Sequence, residues 1–169
     1  MGEPTVNLSL GNQALAFVWR PREISRTVMD LARQTSTGAI FDLSAISPGQ
    51  VSAALREAGA ISAKISAHHL MDRELEAFLE ESRIKTLWVE YHPDLVPGAP
   101  EEFLARMADL ADRCVCVPVA GDLDFLDLLL RRPGPPGAVA LKGNEAGGFV
   151  GKETLSVLFS RLRQVVRLS

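Results

Sequence analysis

Cys114-Val115-Cys116-Val117-Pro118-Val119 is an almost unbroken apolar run. It lacks the polar alternation of a half-exposed strand, and runs of this kind mark strands of a parallel sheet covered on both faces. Just beyond it, Asp122 suits the N-cap of a helix with Leu126, Leu129 and Leu130 on one stripe, which Pro133-Gly134-Pro135-Pro136 stops. Five more such runs occur: Ala14–Trp19, Gly38–Leu43, Ile61–Ser66, Lys85–Tyr91 and Gly137–Leu141. The starts of all six are 24, 23, 24, 29 and 23 residues apart, the spacing of strand–helix units.

The segments between the runs carry helical stripes. Ile24, Val28, Leu31 and Ala32 form one. Val51, Ala54, Leu55 and Ala58 form another, with Ser47-Pro48 as its start and Gly59 as its stop. Met71, Leu75, Phe78 and Leu79 follow, then Phe103, Met107, Leu110 and Ala111 behind Pro100 and two glutamates, which suit the positive end of a helix dipole. The last helix is expected from about Glu153 to Val166, with Leu155, Leu158, Phe159, Leu162, Val165 and Val166 as its stripe. The fold class is therefore α/β, with six parallel β/α units in a single domain over residues 1–169. Two architectures fit: a partial (truncated) TIM-type barrel, since a whole one takes about 250 residues, and an open doubly wound sheet.

Composition narrows the function classes. Apolar residues make up 47% of the 169 and charged residues 23%, which is ordinary for a globular domain. A net charge of −3 gives no general basic surface for nucleic acid or anionic membranes. No apolar run reaches the ~20 residues that span a bilayer, and Met1-Gly2-Glu3-Pro4 does not read as the start of a signal peptide. The expectation is a cytoplasmic protein. Cys114 and Cys116 are the only cysteines; they read as small core hydrophobes on one strand face rather than a disulfide.

In either architecture ligands gather at the C-terminal strand ends. That rule selects Trp19 and Arg20, Asp42, Lys64, Glu90-Tyr91-His92, Gly121 and Asp122, and the loop Lys142-Gly143-Asn144-Glu145-Ala146-Gly147-Gly148-Phe149. Each polar residue at a strand end also has a structural explanation as a cap or a solvated loop residue. Lys64 and Glu90, on adjacent strands, are expected to form an ion pair. His68, His69 and His92 follow strands three and four, but adjacent histidines are expected to point apart and no zinc-ligand spacing is present, so no metal is expected. Lys142 sits where Schiff-base aldolases of the barrel class carry their lysine, with Asp42 and Glu145 expected nearby. Glu90 and His92 are the other catalytic candidates.

The loop resembles the Gly-x-Glu-Ala-Gly-Gly-His-x-Gly signature of the nitronate monooxygenase (2-nitropropane dioxygenase-like) flavin barrels, whose relatives include the flavin enoyl-acyl carrier protein reductases. Gly143, Glu145, Ala146, Gly147, Gly148 and Gly151 match, after the sixth strand where that family carries it. The resemblance implies FMN bound by Gly143, Asn144, Glu145, Ala146, Gly147, Gly148 and Gly151, an oxidoreductase activity, and a setting in polyketide-synthase-like multidomain proteins. The family's catalytic histidine is Phe149 here, which can neither take nor give a proton. The final two barrel units, which commonly build the phosphate site, are expected to lie outside these 169 residues or to be missing. The expectation is therefore a degenerate flavin-barrel-like domain that binds no cofactor by itself and acts as a structural or interaction module. The alternatives are an FMN-dependent oxidoreductase completed by further units and a Schiff-base lyase using Lys142. A homodimer or a partner domain is expected to cover the edges at strands one and six and the last helix, through Leu158, Phe159 and Leu162.

Overall fold

A computed structural model describes residues 15–19, 38–47, 49–51, 62–75, 79, 84–92, 99–134, 136–144 and 151–168. Strands β1 (Leu15–Trp19), β2 (Gly38–Asp42), β3 (Ser62–Ser66), β4 (Thr86–Glu90), β5 (Val115–Ala120) and β6 (Ala140–Leu141) form one sheet in the order β1-β2-β3-β4-β5-β6. Every neighbouring pair is parallel. The order runs in one direction, without the reversal that creates the ligand crevice of a doubly wound sheet. A 3-10 helix, Ala67–Met71, follows β3 directly, and three α-helices are described: α1 (Pro100–Asp109), α2 (Leu123–Arg131) and α3 (Leu155–Leu168).

The first five strands lie where the apolar runs placed them. The sixth is much shorter than Gly137–Leu141: only Ala140 and Leu141 pair, with Val119 and Ala120, while Gly137 and Ala138 are exposed. Prolines cannot donate to a ladder, and the turn at Gly134, with φ of +69°, and Pro136 brings the chain to the sheet late.

Each helix has a local cause. Pro100 opens α1, Glu101 and Glu102 occupy its first turn, and Phe103, Leu104 and Met107 are buried. The stripe ends at Leu110; Ala111 is exposed, contrary to expectation, because the helix stops at Asp109. Asp122 caps α2 by accepting a 2.7 Å hydrogen bond from the Phe125 amide. Asp127 of α2 then grips Arg161 of α3 with two 2.7 Å bonds, Nε to Oδ1 and Nη2 to Oδ2. Val51, Leu75 and Leu79 are buried as expected. Met71 is not: it closes the 3-10 helix and is exposed, because that tighter winding breaks the four-residue spacing to Leu75. The stripe residues Ile24, Val28, Leu31, Ala32, Ala54, Leu55, Ala58 and Phe78 lie outside the described residues.

The two faces of the sheet differ. Ala63, Ile65, Leu87, Val89 and Ala120 join Phe103, Leu126 and Leu158 of the helices in one core. The alternate residues, on the other face, include Lys64, Thr86 and Trp88, all half-buried, and Val115, which is 60% exposed. That face is buried too at Ile40, Ser66, Glu90, Val117 and Val119, so burial on both faces holds over much of the described sheet, with Val115 as the exposed exception. Cys114 belongs to the helix-side core and Cys116 packs against it, their Sγ atoms 3.7 Å apart as free thiols. Among the described residues no helix is long and apolar enough to cross a membrane.

Candidate functional site

Parallel register collects charge at one end of the sheet. Asp42 closes β2 and stands in register with Lys64 of β3; Glu90 closes β4 in register with Ser66; Lys142 follows β6. Lys64 Nζ lies 2.9 Å from Asp42 Oδ2 and 2.8 Å from Glu90 Oε2, and Lys142 Nζ lies 2.6 Å from Glu90 Oε1. The result is a chain of alternating charge, Asp42–Lys64–Glu90–Lys142, with Glu90 bridging both lysines. Neighbouring strands are about 4.8 Å apart, so the Lys142–Glu90 contact spans from β6 to β4 over β5.

The electrostatics follow from burial and pairing. Burial alone pushes the Asp42 carboxyl up, but the Ser44 hydroxyl and amide and the Lys64 ammonium more than offset it and hold it below its ordinary 3.8. Burial likewise presses Lys64 down, and its hydrogen bonds and charge contacts with Glu90 and Asp42 override that and raise it above 10.5. The expected Lys64–Glu90 pair is present. Lys142 is held by Glu90, whereas Asp42, expected near it, pairs with Lys64 instead; Glu145 lies outside the described residues. Lys142 is thus committed to an ion pair, unlike the unpaired amine that Schiff-base chemistry requires.

The glycine loop is visible at its neck. Gly143 is buried and Asn144 exposed, and Gly151 is half-buried; Glu145, Ala146, Gly147, Gly148 and Phe149 lie outside the described residues. The Asn144 amide donates to Glu153 O and the Lys152 amide to Gly121 O, each at 2.9 Å, and the Lys142 amide donates to Ala120 O at 2.9 Å. A Cβ on Gly151 would come 2.5 Å from Gly121 O and 2.6 Å from Lys142 O. The space that a side chain would fill at Gly151 is occupied by two backbone carbonyls. A flavin phosphate needs free N–H donors, and the amides of Lys142, Asn144 and Lys152 already have carbonyl partners. Gly151 is explained by close backbone approach. Gly151→Ala is expected to destabilise the fold by roughly 1–3 kcal/mol, measured by urea denaturation, with no compensating gain from filled space.

The histidines divide by environment. His69 is fully buried; its Nδ1 accepts from the Ser66 amide at 3.1 Å and its Nε2–H donates to Ile46 O at 2.6 Å. Both ring nitrogens are occupied, so neither offers a lone pair to a metal. The two rings do not point apart as expected: His68 and His69 lie with centroids 4.0 Å apart, because the 3-10 helix turns both toward the same side. Burial drives His69 down from 6.5 to about 4. The folded state therefore keeps it neutral where the unfolded chain takes up a proton. Its contribution is fully present above 6.5 and is lost as pH falls from 6.5 towards 4. Urea midpoints should fall over that window, and a His69→Gln variant, less stable at pH 7, should show a flatter decline.

The remaining strand-end candidates do not join the cluster. Tyr91 stacks on Phe125 at 4.6 Å and lies 5.3 Å from Phe103, within the helix-side core. Asp122 is a helix cap. His92 follows β4 and is half-buried. Of Trp19 only the backbone is described, and Arg20 lies outside the described residues. Sequence reasoning missed Ser44 and Ser66. The signal for Ser44 was its place two residues after Asp42, where a hydroxyl and an amide return to a carboxylate. The chain matches no family model, no curated protein and no solved structure.

Proposed function

We propose that this chain is a degenerate flavin-barrel-like domain, a partial TIM-type barrel that serves as a structural or interaction module of a larger synthase-like protein and performs no flavin redox chemistry. The observation that carries the reading is the Asp42–Lys64–Glu90–Lys142 chain across the C-terminal strand ends. In a barrel that is where substrate and cofactor sit. Here four charges neutralise one another instead of facing a ligand. The one-directional strand order supports the barrel geometry over the doubly wound one. Phe149 in place of the family histidine removes the proton donor, and the carbonyl-filled neck at Gly151 removes room for a phosphate. The committed Lys142 speaks against a Schiff-base lyase.

The partner side of the proposal rests on surface. Leu155 and Phe159 of α3 are 47% and 52% exposed, one helical turn apart. We propose a second copy or a partner domain against α3 and the open sheet end at β6. Leu158, expected in that interface, is fully buried and belongs to the core, so Phe159 and the half-buried Leu162 remain as contacts. Two measurements test the reading. The purified chain should carry no stoichiometric flavin, and light scattering at micromolar concentration should give more than a monomer unless the partner is a different protein. Retained FMN at one per chain would overturn the module reading in favour of an FMN-dependent oxidoreductase. Phe149→His should not by itself create nitronate oxidation.

A further inference from the structure

Ser66 and His68 form a side-chain pair that the ion chain does not use. Ser66 is the last residue of β3, in register with Glu90 and two residues on from Lys64, so its side chain emerges on the same face as those charges. Its Oγ lies 2.5 Å from His68 Nδ1. Ser66 is buried, at 4% exposure, whereas His68 is half-buried and gives the pair its access to solvent. Burial lowers His68 from its ordinary 6.5, which favours the neutral ring, and the Nε2–H tautomer of that ring would offer Nδ1 to the serine as a base. His69 alongside is neutral for the same reason and has both nitrogens engaged, so it does not compete for the serine proton. A hydroxyl hydrogen-bonded to a neutral imidazole at a C-terminal strand end is the arrangement that activates serine as a nucleophile.

We infer that Ser66 and His68 are a nucleophile–base pair that accepts an acyl group from an activated ester or thioester. The inference does not depend on the proposed loss of flavin chemistry. In the step, Ser66 Oγ bonds to the acyl carbon while its proton passes to His68 Nδ1. The carbon–oxygen or carbon–sulfur bond of the substrate then breaks, and the departing alkoxide or thiolate takes that proton. Water, deprotonated by the same imidazole, releases the acid and restores the serine. No oxidant or metal is required.

The test uses the full chain with a fluorophosphonate probe, read by peptide mass spectrometry, and with p-nitrophenyl acetate, read by nitrophenolate release. An adduct on Ser66 is expected, absent in Ser66→Ala. His68→Ala should slow both reactions roughly 100-fold or more, and added imidazole should restore part of the rate. Circular dichroism checks that both variants are folded. If Ser66→Ala does not fold, His68→Ala decides, because its ring is half-exposed and outside the core. No adduct on Ser66, or unchanged rates in folded His68→Ala, overturns the inference and leaves Ser66 as the cap of the 3-10 helix.

Discussion

Replacing Glu90 with alanine is expected to cost the fold about 3–5 kcal/mol, the range for removing one partner from a buried ion network. Glu90 is only 5% exposed and, among the described residues, is the one carboxylate that touches both Lys64 and Lys142. Without it, two ammonium groups face the same emptied space, and among the described residues only Lys64 keeps a carboxylate partner, Asp42. Adding Lys142→Met should recover part of the loss, because the uncompensated charge rather than the missing contact dominates the penalty. Chemical denaturation of the three proteins at pH 7 measures this; a Glu90→Ala midpoint equal to that of the parent would show that the chain of charges is incidental. The same network predicts decline at both pH extremes. Asp42, lowered in the fold, stabilises above 3.8 and loses that contribution as pH falls. Lys64, raised in the fold, stabilises below 10.5 and loses it as pH rises through its folded value.

Leu158→Ala should cost about 2–5 kcal/mol, comparable in size but different in kind. Leu158 is fully buried among sheet and helix residues, and truncation leaves a cavity that the sheet cannot collapse to fill. Its neighbour supplies the control. Phe159 is 52% exposed, so Phe159→Ser should leave stability nearly unchanged while shifting the light-scattering mass towards the monomer. If Leu158→Ala proves mild and Phe159→Ser severe, the orientation of α3 described above is wrong.

The parallel fold was legible because apolar continuity and strand–helix spacing are local signals, and they located β1 to β5. The length of β6 was not legible. Gly137-Ala138-Val139 reads as strand by composition, yet the turn at Gly134 and Pro136 delivers the chain to β5 late, so only Ala140 and Leu141 pair, with Val119 and Ala120. Burial on α3 also escaped the sequence: a stripe identifies apolar residues but not which neighbour each one meets, so Leu158 and Phe159 looked alike until the Asp127–Arg161 clamp fixed the helix on α2. At the candidate site the strand-end rule picked out Asp42, Lys64, Glu90 and Lys142 individually. Their partnership depends on register, and Lys142 reaching Glu90 past β5 has no sequence correlate. Glycines in the last loop suggested a ligand, but Gly151 is required by the carbonyls of Gly121 and Lys142.

The neck at Asn144, Gly151 and Lys152 separates heredity of shape from heredity of chemistry. Its hydrogen bonds join Asn144 to Glu153 and Lys152 to Gly121, so the chain is stitched to the sheet on both sides of residues 145–150. With the ends held in this way, lengthening the connection between them costs only about 0.6 kcal/mol of closure entropy per doubling. The same stitching makes the connection a natural place to graft a foreign peptide: an insert there would be displayed from a closed base, and the thermal stability of the host would report whether the base had stayed shut.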